Sequence, residues 1–117
     1  MDRRVLITIA KDEIAPRFDM ATEALLMTIT ESGDIMRRKS FLLARASGDE
    51  LCDLALSRDI GTIVCGAIED EYYHYLRLKR IEIIDFVAGP LDEVLPRLTV
   101  NTLHEGDILY PRFGELA

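Results

Sequence analysis

The chain has 117 residues, 49% of them hydrophobic and 30% charged, which suits one compact domain and is too apolar for a disordered segment. Fourteen basic against 21 acidic side chains leave a net charge of −7, so a phosphate backbone is repelled and nucleic acid is not an expected partner. Two cysteines, Cys52 and Cys65, cannot make a disulfide framework, and no signal-type leader or apolar run of ~18 residues appears, so the expectation is a cytoplasmic protein with reduced thiols and no membrane contact.

Residues 4–10 (RVLITIA) are almost continuously apolar and rich in β-branched side chains, the pattern of a strand covered on both faces. A loop with Asp12, Pro16, Arg17 and Asp19 follows. Residues 24–30 and 35–43 read as a second and third strand. The four turn residues Glu31, Ser32, Gly33 and Asp34 between them favour an antiparallel hairpin. From residue 47 the period lengthens. Ser47-Gly48-Asp49-Glu50 fits a capping box, Leu51, Leu54, Ala55 and Arg58 share a helical face, and Gly61 supplies a left-handed stop. Residues 62–68 (TIVCGAI) return to a buried-strand pattern. Glu69, Asp70 and Glu71 then open a helix whose positive end they complement, with Tyr72, Tyr75, Leu76 and Lys79 on one face. Residues 81–87 form a fifth strand. Gly89-Pro90 opens a third helix with proline at its first position, and Leu91, Val94, Leu95 and Leu98 make its apolar stripe.

Three strands followed by helix–strand alternation predict an α/β domain over residues 1–100, with a tail from 101 to 117. Right-handed crossovers set the last two strands beside the first, in a five-stranded mixed sheet of order 3-2-1-4-5 with strand 2 antiparallel. In open α/β sheets ligands collect where neighbouring parallel strands send their connections in opposite directions. Here that crevice lies between strands 1 and 4, walled by residues 11–20 and 65–71.

This topology is ribonuclease-H-like, but a nuclease of that form needs carboxylates gathered on two metal ions, typically one from the first strand, and residues 4–10 carry none. Hydrolytic or nuclease activity is therefore not expected. Cys65 ends an apolar strand at the crevice, and His74 lies about one turn into the next helix. They read either as thiolate and imidazole ligands of a metal, or as a buried small hydrophobe beside a half-exposed histidine; their spacing matches no zinc motif. Cys52 reads as core. Arg17 points at the same crevice and is either an anion holder or a solvated loop charge. Glu69, Asp70 and Glu71 oppose an anion at that helix end. Of Tyr72, Tyr73 and Tyr75 at least one must be exposed. His104 reads as a loop residue, and the apolar tail beyond it either docks on its own domain or meets a partner.

Residues 14–21, Ile14-Ala15-Pro16-Arg17-Phe18-Asp19-Met20-Ala21, resemble a signature of the dinitrogenase iron–molybdenum cofactor-binding domain family. Cys65-Gly66-Ala67-Ile68 is similar to that family's glycine-containing fourth strand. Gly89-Pro90-Leu91-Asp92-Glu93-Val94-Leu95 is similar to its closing glycine, acidic residue and helix, so the likeness spans residues 4–98. The resemblance implies a three-layer α/β/α, ribonuclease-H-like fold that holds metal–sulfur clusters during nitrogenase cofactor assembly without turnover. Carried onto this sequence, Arg17 stands where members often have histidine, Asp19 replaces a glycine, and residues 69–72 replace a small glycine-rich turn.

The expected function is therefore a non-catalytic binding or carrier protein for an iron–sulfur or iron–molybdenum cluster or its precursor. Arg17 would pair with the anionic cargo, Cys65 or His74 would supply the metal ligand, Gly66 belongs to the same binding set, and Phe18 and Tyr72 would exclude water. The alternative is a protein–protein interaction or regulatory module without cofactor, whose C-terminal tail engages a partner or a second copy of the chain.

Overall fold

A computed structural model describes residues 2–110. The continuous apolar run near the start forms β1 (Arg3–Ala10), which is followed by a two-residue strand, β2 (Glu13–Ile14), and a 3-10 turn over Phe18–Met20. The hairpin is β3 (Glu23–Ile29) and β4 (Ile35–Leu42). Then come α1 (Gly48–Ser57), β5 (Thr62–Val64), α2 (Asp70–Leu78), β6 (Glu82–Ile84) and α3 (Leu91–Thr99). The strands form one six-stranded mixed sheet in the order β4-β3-β1-β5-β6, with β2 folded back on β1. β3 is antiparallel to β1 and β4, whereas β5 is parallel to both β1 and β6. The described residues form an α/β protein with three α-helices.

Five strands are expected from the sequence and six are found among the described residues. The extra one, β2, arises because Lys11 takes a left-handed conformation (φ 59) and reverses the chain, so that Ile9 faces Ile14 and Ala10 faces Glu13. Two residues are too few to show an alternation, and the pattern cannot reveal such a strand. The strands expected over 62–68 and 81–87 are also shorter, three residues each. Their apolar runs continue because Cys65 and Val87 stay buried after the ladder ends. Apolar pattern reports burial, not pairing.

The side chains of β1 alternate between two cores. Val5, Ile7 and Ile9 pack with Leu25 and Met27 of β3 under Val94 and Leu98 of α3. Leu6 packs on the other side with Leu51 and Ala55 of α1, Leu76 of α2 and Ile63 of β5. Helices thus cover both faces of the sheet, and this explains why β1 is apolar throughout.

The caps show what local chemistry does and does not dictate. Ser47 accepts from the Glu50 amide at 3.1 Å and starts α1, as the capping pattern predicts. The left-handed residue after α1 is Asp59 (φ 53) and not Gly61, which instead donates its amide to the Arg4 carbonyl and leads into β5. Aspartate tolerates that conformation, so glycine was not needed. Pro90 is the N-cap of α3 and does not occupy its first turn. On α2, Leu76 is buried and Tyr72 and Tyr73 are half-buried, while Tyr75 is 40% exposed. The inward face of α2 therefore includes Tyr73 in place of Tyr75.

Part of the expected tail is docked on the domain. Leu103 is buried in the α3-side core with Leu109 packed against it, and the Leu109 amide donates to the Ala88 carbonyl at 2.7 Å. Gly89 permits this close approach at φ 144, since a Cβ there would lie 2.9 Å from that of Leu109. Tyr110 donates its hydroxyl to Glu13. The rest of the tail, residues 111–117, lies outside the described residues. Among the described residues no helix is long and apolar enough to cross a membrane.

Candidate functional site

β1 and β5 lie side by side, and the chain leaves them in opposite directions: from β1 toward β3, from β5 toward α2 and β6. Instead of leaving an open crevice, the two exits pair with each other. The Phe18 amide donates to the Ala67 carbonyl at 2.8 Å, and the Ala67 amide donates to the Pro16 carbonyl at 2.9 Å. Gly66 makes the approach possible. A Cβ at that position would stand 2.5 Å from the Ala15 oxygen and 2.8 Å from the Pro16 carbonyl carbon, both backbone atoms that cannot rotate away.

Phe18 fills the junction. It is fully buried, and its ring centre lies 5.8 Å from that of Tyr72 in a tilted arrangement. Tyr72 lies in turn across Gly48, where a Cβ would come within 2.6 Å of its ring and would push that ring aside. Arg17 is held at the surface above this plug by its own backbone pairing with Ala67. Its guanidinium donates in a fork to Asp19 at 3.2 and 3.1 Å and to Glu69 at 3.2 Å, with 52% of the side chain exposed. The exposed Glu69 pair contributes about 0–1 kcal/mol, whereas Asp19, only 18% exposed, accepts the two-bond fork and is the stronger partner with which an arriving anion competes.

Arg17, Phe18, Gly66 and Tyr72 therefore come together at one junction. Cys65 and His74 are placed differently. Cys65 is fully buried in the core between the sheet and the α1–α2 layer, where burial and then the Asp85 carboxylate push its thiol up. His74 is exposed on α2 and meets the ring of Tyr73 edge-on at 5.6 Å. Among the described residues no group of three or more His, Cys, Asp and Glu is placed to hold a metal ion. A thiol reagent at neutral pH should accordingly leave both cysteines unmodified in the folded protein. Cys52 is pushed up to about 11 by burial and then by Asp49 and Asp53. Two thiols should titrate with Ellman's reagent in urea; a fast native reaction would contradict the buried placement.

Sequence reasoning does not find several of these residues. Glu69 reads as a helix-end charge, yet it bridges α2 to the loop after β1 through Arg17. The Thr8 hydroxyl is buried with no hydrogen-bond partner among the described residues, near the end of β1. Asp85 is buried at the end of β6, with the Gly106 amide donating to its carbonyl. Burial pushes the Asp85 carboxyl up, aided by the Glu105 carboxylate and opposed by a backbone hydrogen bond. A carboxyl raised in the native state stabilises most below the ordinary value of about 3.9, and that contribution is lost as pH rises through the raised value. Asp85→Asn should therefore gain stability relative to the parent on going from acid to neutral pH. Urea midpoints in a pH series check this, and a pH-independent difference would contradict it.

Solved structures with this fold include a proposed dinitrogenase from Methanocaldococcus jannaschii, seen by crystallography, 20% identical with a TM-score of 0.71 over 95% of this chain and 99% of that one. A solution structure of a proposed dinitrogenase from Methanococcus jannaschii is 21% identical, with a TM-score of 0.72 over 95% of this chain and 97% of the other. A proposed NifB protein from Thermotoga, described as belonging to the DUF35 family, is 19% identical with a TM-score of 0.65 over 96% and 99%. These likenesses establish the fold. No protein-family model matches the sequence, and no curated protein matches it.

Proposed function

We propose that this chain is a cytoplasmic, non-catalytic binding protein with a role in nitrogenase cofactor assembly, built on a ribonuclease-H-like arrangement of layers. The observation that carries the reading is Arg17, a half-exposed cation fixed by backbone pairing where the exits of β1 and β5 meet. The names of the similar structures, a proposed dinitrogenase and a proposed NifB protein, favour a metal–sulfur cluster or its precursor as the cargo. Such a cargo is anionic, and Arg17 is the group that would attract it. Phe18 and Tyr72 would form the apolar wall beneath, and Gly66 would keep the two loops in contact.

The donor set does not fit direct ligation as the chain is folded, because the Cys65 sulfur is buried and the His74 imidazole stands on the outer side of α2. Recognition is accordingly assigned to charge. The test is analysis of iron and sulfide on protein purified without oxygen and reconstituted with both. Retention by the parent protein and a loss in Arg17→Glu are expected. Background levels in the parent would overturn the reading, and a loss in Cys65→Ala or His74→Ala would move recognition from charge to ligation.

An interaction module is favoured by one separate observation. Phe86 is 59% exposed at a strained φ of 57, and Ile108 is 73% exposed on the adjoining segment that pairs with Ala88. This pair would meet a protein partner or a second copy. Sedimentation should then show association that Phe86→Ser with Ile108→Ser abolishes; a monomeric parent with no partner would remove this reading.

A further inference from the structure

A second hollow lies at the opposite end of the sheet, where β1 begins and α1 ends. The ladder builds it. Thr28 faces Arg4 on one side and Arg37 on the other, while Leu26 faces Lys39 and Ala24 faces Phe41. Alternation puts Arg4, Arg37, Lys39 and Phe41 on the face that carries α1 and α2, the face of Leu6 and Ala24. Arg58, just beyond α1, and the buried Ile60 close the space from the helix side. The result is an open hollow of about 170 Å³ with Leu26, Phe41 and Ile60 as its apolar floor and four cations around it. The Lys39 ammonium and the Arg58 guanidinium each stand 4.9 Å from the Phe41 ring centre. The Arg4 guanidinium donates to the Arg58 carbonyl at 3.1 Å.

This gathering of positive charge occurs in a chain whose net charge is −7, and among the described residues no carboxylate lines the hollow. Among the described residues Arg37, Lys39 and Arg58 have no ion pair, and Arg4 has only the exposed Asp59 at 3.8 Å. Charged side chains on an edge strand are a common defence against strand addition, and that accounts for the cations of β4 taken alone. It does not account for Arg4 and Arg58, which arrive from other elements at the same opening. Like charges brought together repel, and a bound anion relieves the repulsion.

We propose that this hollow binds a small organic phosphate, its phosphate held by Arg37, Lys39 and Arg58 and a compact apolar group laid on Leu26, Phe41 and Ile60. Guanidinium forks match phosphate oxygens, the ammonium adds a point charge, and the apolar floor takes the part of the ligand that water solvates poorly. The space is smaller than the ~300–1,000 Å³ of pockets for drug-sized ligands, so one ring or a short chain is the limit.

The probe is phenyl phosphate, titrated into the full chain and followed by amide resonances. Shifts at Leu26, Lys39, Phe41 and Arg58 with a Kd near ~1 mM, weakening as salt is added, are expected. Arg37→Ala with Lys39→Ala should weaken binding by about tenfold or more, the effect of losing a charge-assisted hydrogen bond. Arg77→Ala on α2 should leave it unchanged. Inorganic phosphate should bind less tightly than phenyl phosphate, and phenol should not bind. Both β4 side chains are exposed, so the double variant keeps the fold, and its resonances elsewhere verify that. Absence of shifts at these residues, unchanged affinity in the double variant, or equal affinity for inorganic and phenyl phosphate would overturn the proposal.

Discussion

Gly66→Ala should lower the stability of the protein by about 3 kcal/mol, the upper part of the range for forcing an extra carbon into a packed site. The reason is what the new methyl would meet: the Ala15 carbonyl oxygen at 2.5 Å and the Pro16 carbonyl carbon at 2.8 Å. Neither is the tip of a flexible side chain, so relief requires the two loops to separate. Separation stretches the hydrogen bonds of 2.8 and 2.9 Å that join Pro16 and Phe18 to Ala67. Arg17 would then lose its fixed place beside Glu69. Urea unfolding followed by circular dichroism reads the stability, and a loss below about 1 kcal/mol would mean that the loops tolerate a wider spacing than the structure gives them.

Phe18→Ala should cost still more, about 3–5 kcal/mol, because the ring is fully buried and its removal leaves a cavity as well as a lost transfer term. A domain of ordinary stability, about 5–15 kcal/mol, would come close to unfolding. Phe18→Leu keeps most of the volume and should cost far less, about 1 kcal/mol. Phe18 and Cys65 belong to the same core cluster, so the alanine variant should also let a thiol reagent reach Cys65 in the folded protein while the leucine variant should not. A small stability loss in Phe18→Ala, with Cys65 still protected, would show that the ring is not the plug of this junction.

Much of the architecture is legible in the residues. The apolar run of β1, the hairpin turn at residues 31–34, the Ser47 cap and the stripe on α3 each carry a local physical signal, and each produces the element it predicts. The strand count and the inward face of α2 are less legible. β2 depends on a single left-handed lysine, and the choice of Tyr73 over Tyr75 depends on where α2 sits against α1 and β6.

The candidate site divides the same way. Arg17, Phe18, Gly66 and Tyr72 can be picked out from the loop after β1, the strand-ending glycine and the start of a helix. Their meeting at one junction follows from strand order. That Phe18 fills the expected crevice, that Arg17 is tied to Asp19 and Glu69, and that Cys65 and His74 face different surroundings cannot be read from spacing.

By itself, then, the amino-acid sequence determined the α/β class, the Ser47 start of the first helix and the two-sided burial of the first strand, because capping, turn chemistry and hydrophobic period act within a few residues. Tertiary structure alone decided that one crevice is plugged by an aromatic ring and that four cations from three separate segments converge on another hollow. Those outcomes depend on contacts between segments far apart in the chain, and local chemistry places no constraint on which side chains meet there.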